Sequence, residues 1–330
     1  MQLPPRRQFL RLAAGAAALP ALPQIARAQA YPSRPITIIA PFPPGGGSDA
    51  IGRIIAERMR ATLGQPVIIE NVVGANGSIG SGRVTRAAAD GYTLVLANWN
   101  THVANGAVYQ LQYDLMADFE PVALVASNPY LVVTRKSMPA NALRDLIDWL
   151  KANSGKATMG TAGIGSPGHV GGVFFQNTTD TRFQFVPYRG DGPAMQDLVG
   201  GQTDMMISSP TAAVAQVRSG NIKAYAVTAK SRLPAAPDIP TVDEAGLPGF
   251  YLSNWYALFG PKGTPKIIVN RLNAAVVDAL ADSVVRSRLS DQGQEIPTSE
   301  QQTPDALAIY QKAEIEKWWP IIKAANIKGE

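Results

Sequence analysis

Short runs rich in Ile, Val, Leu and Ala recur along the chain, at residues 36–40, 67–70, 93–97, 122–126, 131–134, 157–160, 183–187, 205–207, 224–228 and 255–259. They are strand-length and bounded by Gly, Pro, Asn or Asp, so they predict buried strands. Between the early runs the apolar spacing changes to a helical period. Residues 49–63 place Ile51, Ile54, Ile55 and Met59 on one face, with Gly64 as the stop. Leu143, Leu146, Ile147 and Leu150 repeat that spacing, and residues 266–280 and 304–325 read as longer helices. Alternating strands and helices predict an α/β fold whose mainly parallel sheets are covered by helices. No internal repeat, heptad array or low-complexity tract interrupts the pattern.

One break in the alternation predicts two lobes. The apolar runs at 119–125 and 130–134 are separated by Ser127, Asn128 and Pro129, too few residues for a helix. The chain is therefore expected to pass from one sheet to a second there. A return passage is expected near residues 221–229, before the Pro-rich stretch at 233–249. Lobe one would comprise residues 31–127 and 227–330, and lobe two residues 128–226. A ligand cleft between the lobes, with hinge closure as its motion, follows from that arrangement.

The first 30 residues stand outside the alternation. Arg6, Arg7 and Arg11 precede an Ala-rich apolar stretch at 12–22, and Ala28, Gln29 and Ala30 form a small-x-small cleavage site. This predicts a secretory signal peptide, because the apolar stretch is too short to span a bilayer. RRQFLRL resembles a twin-arginine signal, although Pro5 stands where Ser or Thr is usual; the choice between the two export routes stays open. Pro20 and Pro23 argue against a helix of the mature fold. Removing these residues takes away four arginines and no acid, leaving 26 bases against 25 acids. The basic character of the whole chain thus gives no reason to expect nucleic-acid binding. No later run of about 18 apolar residues follows, so the mature protein is expected to be soluble and exported. With no Cys and only His102 and His169, disulfides, thiolate chemistry and a multi-histidine metal site are not expected.

Three glycine-rich turns, each between a strand and a helix, are the candidate chemistry. The first holds Pro43, Gly45, Gly46, Gly47, Ser48 and Asp49. Glycines let the main chain approach a ligand, and N–H groups at a helix start face an anion. Ser48 or Asp49 is expected to cap the helix. No Gly-Lys-Ser/Thr follows, so this is no nucleotide P-loop; anion binding and a plain capped turn both remain open. The second holds Gly163, Gly165, Ser166, Gly168 and His169. Its three glycines match a dinucleotide fingerprint, but Pro167 removes a donor and an exported protein has no use for NAD. Ile164 sits where a serine-hydrolase elbow needs Gly, so no catalytic residue is assigned. His169 is read first as a structural hydrogen bonder. The third turn holds Tyr188, Arg189, Gly190 and Asp191. Arg189 would meet a ligand carboxylate or a surface acid. Asp191 would cap the following helix, the favoured reading, or accept from a ligand amine or hydroxyl. A fourth loop offers Asn98 and Thr101 near His102, and Trp255 and Tyr256 would wall a cleft or join the core.

Several segments resemble a known family. PFPPGGGSDAIGR, GANGSIG, DGYTLVLAN, VPYRGDGPAMQDLVGGQTDMM, IPTVDEAGLPGF and WYALFGPKGTP are similar in order and spacing to the Bug-type substrate-binding proteins of tripartite tricarboxylate transporters, over essentially the whole mature chain. Asn76 departs from a position where the family commonly has Gly. The resemblance implies a periplasmic binding protein of the two-lobed type II (Venus-flytrap) fold, not an enzyme, that closes on a small carboxylated molecule. It implies capture by main-chain amides, hydroxyls and water at residues 43–49, 163–169 and 188–191, without cofactor or metal. The implied partners are a small and a large integral-membrane transporter subunit, with a monomer as the default receptor state. An exported enzyme acting on an organic acid and a sensor for a signalling partner are the alternatives.

Overall fold

The computed structural model describes residues 31–329; the expected leader lies outside the described residues. The first part of the chain runs β1 (Ile36–Ala40), α1 (Gly47–Leu63), β2 (Val67–Asn71), α2 (Ser78–Thr85), β3 (Thr93–Asn98), a π-helical turn (Asn100–Ala104), α3 (Asn105–Val108) and β4 (Phe119–Pro129). The middle runs β5 (Leu131–Arg135), α4 (Leu143–Ala152), β6 (Thr158–Thr161), α5 (Pro167–Thr179), β7 (Gln184–Pro187), α6 (Asp191–Val199), β8 (Met205–Ser208), α7 (Pro210–Arg218) and β9 (Ile222–Val227). The last part is β10 (Ser253–Pro261), α8 (Lys266–Ala281), α9 (Ser283–Asp291) and α10 (Pro304–Ala324).

The strands form two five-stranded sheets, ordered β2-β1-β3-β10-β4 and β7-β6-β8-β5-β9. Each is mainly parallel, with one reversed strand. β10 runs antiparallel to β3 and β4, and β5 antiparallel to β8 and β9. The reversal has a topological cause: β5 and β10 are the strands by which the chain enters a sheet from the other one. The passage from β4 to β5 takes the single residue Tyr130, and the return from β9 to β10 takes residues 228–252. Thr228 braces both passages. Its hydroxyl donates to the Leu252 carbonyl at 2.6 Å, and the Tyr130 N–H donates to it at 2.8 Å.

Helices cover both sheets as their apolar faces require. Ile51, Ile54, Ile55 and Met59 of α1 pack with Leu272 and Val276 of α8 on one face of the first sheet. Each such burial contributes about 1.5–3 kcal/mol. The other face carries α10, whose Trp318 meets Trp99 edge-on at 5.6 Å and Phe174 of α5 at 5.4 Å. One continuous core therefore runs behind both sheets. Helix α5 lies close on the second sheet because Gly168 has no side chain; a Cβ there would stand 2.6 Å from the Ile207 carbonyl oxygen. Asn76, the departure from the family's glycine, has left-handed backbone at φ 49°. Asn is among the few side chains that tolerate it, and Asn76 Nδ2 donates to Asn105 Oδ1 at 3.0 Å.

Among the described residues no helix is long and apolar enough to cross a membrane. Nor does any group of three or more His, Asp or Glu there offer a metal site.

Candidate functional site

Three helix starts converge on one cleft between the sheets. It has a volume of about 520 Å³ and is lined by Gly45, Gly46, Gly47, Ala50, Asn128, Tyr130, Asp191, Ser209, Thr211, Ala212, Asn254, Tyr256, Gln292 and Gln294. Its size suits a small molecule. Gly45–Gly47 begin α1, Asp191 begins α6, and Ser209 precedes α7. Every α-helix leaves its first N–H groups without intrahelical acceptors. In many helices a side chain accepts from them: Ser166 at α5, Asp282 at α9 and Thr303 at α10 do so here. The N-caps of α1, α6 and α7, which are Gly46, Gly190 and Ser209, provide no side-chain cap. Three sets of donors without side-chain caps are thus gathered at the cleft, with the positive ends of the helix dipoles.

The first turn is built for that exposure. Gly45 takes φ +81°, a conformation L side chains rarely adopt, and Gly47 lies so close to Tyr256 that a Cβ would stand 2.5 Å from the phenol oxygen. Asp49 does not cap α1 as expected. It sits in the first turn, accepting from the Gly45 N–H at 3.0 Å and from Arg53 at 2.9–3.1 Å. The Arg53 hydrogen bonds hold its carboxyl down at about 2. Ser48 is buried beside it and Pro43 is exposed, and neither lines the cleft.

The third turn also differs from the favoured reading. Gly190, not Asp191, is the N-cap of α6. Asp191 instead faces the cleft and accepts from the Ser209 hydroxyl at 2.7 Å. Burial raises its pKa, against the lowering effect of Ser209. Burial and the Asp191 charge push Tyr256 up to about 12 and raise Tyr130. Tyr188 is tied to Asp197 at 2.6 Å and Arg189 is exposed outside the lining.

The second turn opens elsewhere. His169 and Thr161 line a separate cavity of about 730 Å³, closed by residues 324–328. It is larger than the cleft but lies at a helix start already capped by Ser166, so it gathers fewer free donors. Gly163 and Gly165 have positive φ, and Gly165 N–H donates to His169 Nδ1 at 3.0 Å. Ser166 accepts from the His169 backbone rather than its ring, so the two do not form a nucleophile–base pair. The His169 ring thus accepts a hydrogen bond within its own turn.

The fourth loop folds inward. Thr101 and Asn98 bond to each other through side chain and main chain, and both are buried. His102 lies fully buried between Phe119 and Phe259, ring centroids 4.5 Å from each, and burial lowers its pKa to about 3. It stays neutral in the fold while the unfolded state takes up a proton below about pH 6.5. Stability from this residue is therefore present above that pH and lost as pH falls toward 3, at up to roughly 1.4 kcal/mol per pH unit. Denaturant titrations of wild type and His102→Leu between pH 7 and 4 check it: the variant should show the shallower loss. Trp255 and Tyr256 are neighbours on β10, so their side chains point to opposite faces. Tyr256 enters the cleft and Trp255 packs behind the sheet against Tyr310.

The lining residues without a local motif are Asn128, Tyr130, Asn254, Gln292 and Gln294, from the passage strands and the turn after α9, with Ser209 and Thr211 at α7. Asn128, Asn254 and Gln294 are buried and carry side-chain oxygens without partners. The lining includes no Lys, Arg or His among the described residues.

The profile of the TctC family, described as "Tripartite tricarboxylate transporter family receptor", matches residues 51–327. A UPF0065 protein of Agrobacterium vitis, from the TAR-I ttuE-ttuC' intergenic region, is 40% identical over 306 residues, covering 92% of this chain and 88% of that one. Among solved structures, MatC of Rhodopseudomonas palustris with bound malate is 40% identical at a TM-score of 0.76, covering 88% of this chain and all of that one. R. palustris Rpa4515 with adipate is 32% identical at 0.78, covering 90% and 99%.

Proposed function

Because the chain belongs to the TctC family of tripartite tricarboxylate transporter receptors, a family of periplasmic solute receptors rather than enzymes, we propose that it carries a small carboxylic acid in the cleft between its sheets. The observation that carries this reading is the convergence of three helix starts without side-chain caps on a cleft that has no cationic side chain among the described residues. The backbone N–H of Gly47 at the start of α1 would hold the carboxylate, and the Thr211 backbone N–H would close on it from the other lobe. The malate and adipate of the neighbouring structures are carboxylates of the size such a cleft admits. In this reading residues 31–127 and 227–330 form one lobe and 128–226 the other, with Thr228 at the hinge. Export depends on residues 1–30, and the closed receptor, as a monomer, delivers its cargo to a small and a large membrane subunit.

The test is mass spectrometry of small molecules released from the purified mature protein, followed by thermal-shift screening of carboxylic acids. A carboxylic acid that co-purifies and raises the melting temperature is expected. At about 100 times its dissociation constant it should stabilise the fold by about 2.7 kcal/mol. Indifference to every organic anion, or turnover of a bound acid, would contradict the proposal.

A further inference from the structure

We infer that Asp191 is a specificity-determining residue, selecting carboxylic acids that carry an ammonium group and rejecting unsubstituted ones. The inference rests on the carboxylate reading of the cleft and adds what the rest of the cargo must offer.

Among the described residues, Asp191 is the one charged side chain in the cleft lining. It does not cap α6, whose N-cap is Gly190. A carboxylate has about four acceptor sites, and in the fold Asp191 accepts from Ser209 through its hydroxyl at 2.7 Å and its backbone N–H. No Lys, Arg or His of the lining offsets its charge. Around it the side-chain oxygens of Asn128, Asn254 and Gln294 are buried without partners. The cleft therefore has two unequal needs. The start of α1 offers donors and suits an anion. Beside the starts of α6 and α7 the Asp191 carboxylate places negative charge and open acceptor sites, and suits a cation with several N–H groups.

A plain dicarboxylate answers only the first need. Its second carboxylate would stand in the same small cleft as Asp191, adding like charge where no cationic side chain screens it. A hydroxyl in its place supplies one donor and no charge. An ammonium supplies three donors and the opposite charge. Burial already holds the Asp191 pKa above the usual carboxylate range; a cation beside it favours the ionised form and relieves that cost. Tyr130 and Tyr256, the other titratable side chains of the lining, are neutral phenols at the passages between sheets. Neither supplies the missing charge.

Isothermal titration of the purified mature receptor with three matched series tests this: alanine, lactate and propionate; aspartate, malate and succinate; glutamate, 2-hydroxyglutarate and glutarate. In the series that fits the cleft, the amino acid should bind about tenfold or more tighter than the unsubstituted acid. Asp191→Asn keeps the shape and removes the charge. It should bring the three within about threefold of one another and tighten the unsubstituted acid. Melting curves without ligand show whether the variant folds, and Asp191→Ser replaces it if it does not. Wild-type binding without discrimination, a hydroxy acid bound tightest, or an unchanged ranking in folded Asp191 variants would overturn the inference and leave the carboxylate reading standing. Failure of all nine acids to bind, while another carboxylic acid raises the melting temperature, would overturn the inference alone; indifference to these and to the wider acid screen would overturn both.

Discussion

Gly47→Val is expected to abolish the ligand-induced rise in melting temperature while the protein still folds. A Cβ at residue 47 stands 2.5 Å from the Tyr256 phenol oxygen. Tyr256 is buried and held on β10 between β3 and β4, so its ring has little room to retreat. The exposed turn ahead of α1 must move instead, and with it the N–H groups that would meet the carboxylate. A valine adds two methyl groups in the same space. The backbone at Gly47 is not left-handed, so the substitution acts through space rather than strain. Gly192→Ala is the matched control: it lies in the first turn of α6, and its Cβ meets nothing within 4 Å. Thermal shift with the acid that co-purifies with wild type separates the two. Loss in Gly47→Val with retention in Gly192→Ala is the expected pattern; an unchanged response in both removes the first turn from the site.

The second large effect is on the fold. Trp318→Ala should cost about 3–5 kcal/mol, the usual range for emptying a buried aromatic site. Trp318 is 1% exposed and sits where α10 meets both the first sheet and α5. It contacts Trp99 and Phe174, Lys317 lies 4.4 Å over its ring, and its indole N–H donates to Glu314 at 3.2 Å. Truncation leaves a cavity and removes a donor from a carboxylate whose pKa burial already raises. Trp318→Phe keeps most of the packing and should cost less than half as much as alanine. Urea unfolding of the three proteins checks the order; equal stability of wild type and Trp318→Ala would contradict the role of this core.

Much of the fold is legible in the sequence because burial imposes a period. The β-branched runs are strands, often within a residue or two: 36–40 and 131–134 match β1 and most of β5. The break at Ser127, Asn128 and Pro129 marks where the chain changes sheets, although β4 itself continues through Pro129. The helices α7 and α9 leave weaker signals. Small residues do not pattern a face: α7 opens Pro-Thr-Ala-Ala-Val-Ala, and α9 is mostly polar with Val285 and Leu289 as its buried anchors.

The site is legible where glycine marks it. Gly45, Gly46 and Asp191 of the sequence-based candidates reach the cleft, whereas His169 reaches the other cavity and Trp255 the far face of β10. Ser208, Ser209 and Pro210 carry a good helix-start signature, Ser before Pro, but no glycine distinguishes that start from any other. Asn128, Asn254 and Gln294 come together only because three distant segments meet at the passage between sheets. Nothing in local spacing signals that meeting. Asp191 shows the limit most clearly: Gly-Asp-Gly-Pro favours Asp191 as the cap, and only the fold puts Gly190 in that position and sets the Ser209 hydroxyl against the Asp191 carboxylate.

A crystal structure of the mature receptor with its co-purified acid is the most direct measurement of where cargo sits. The account predicts carboxylate oxygens within hydrogen-bond distance of the Gly47 N–H group, under Tyr256 and facing the Thr211 N–H. An acid lodged instead in the cavity between His169 and residues 324–328, with the cleft holding only water, would contradict it.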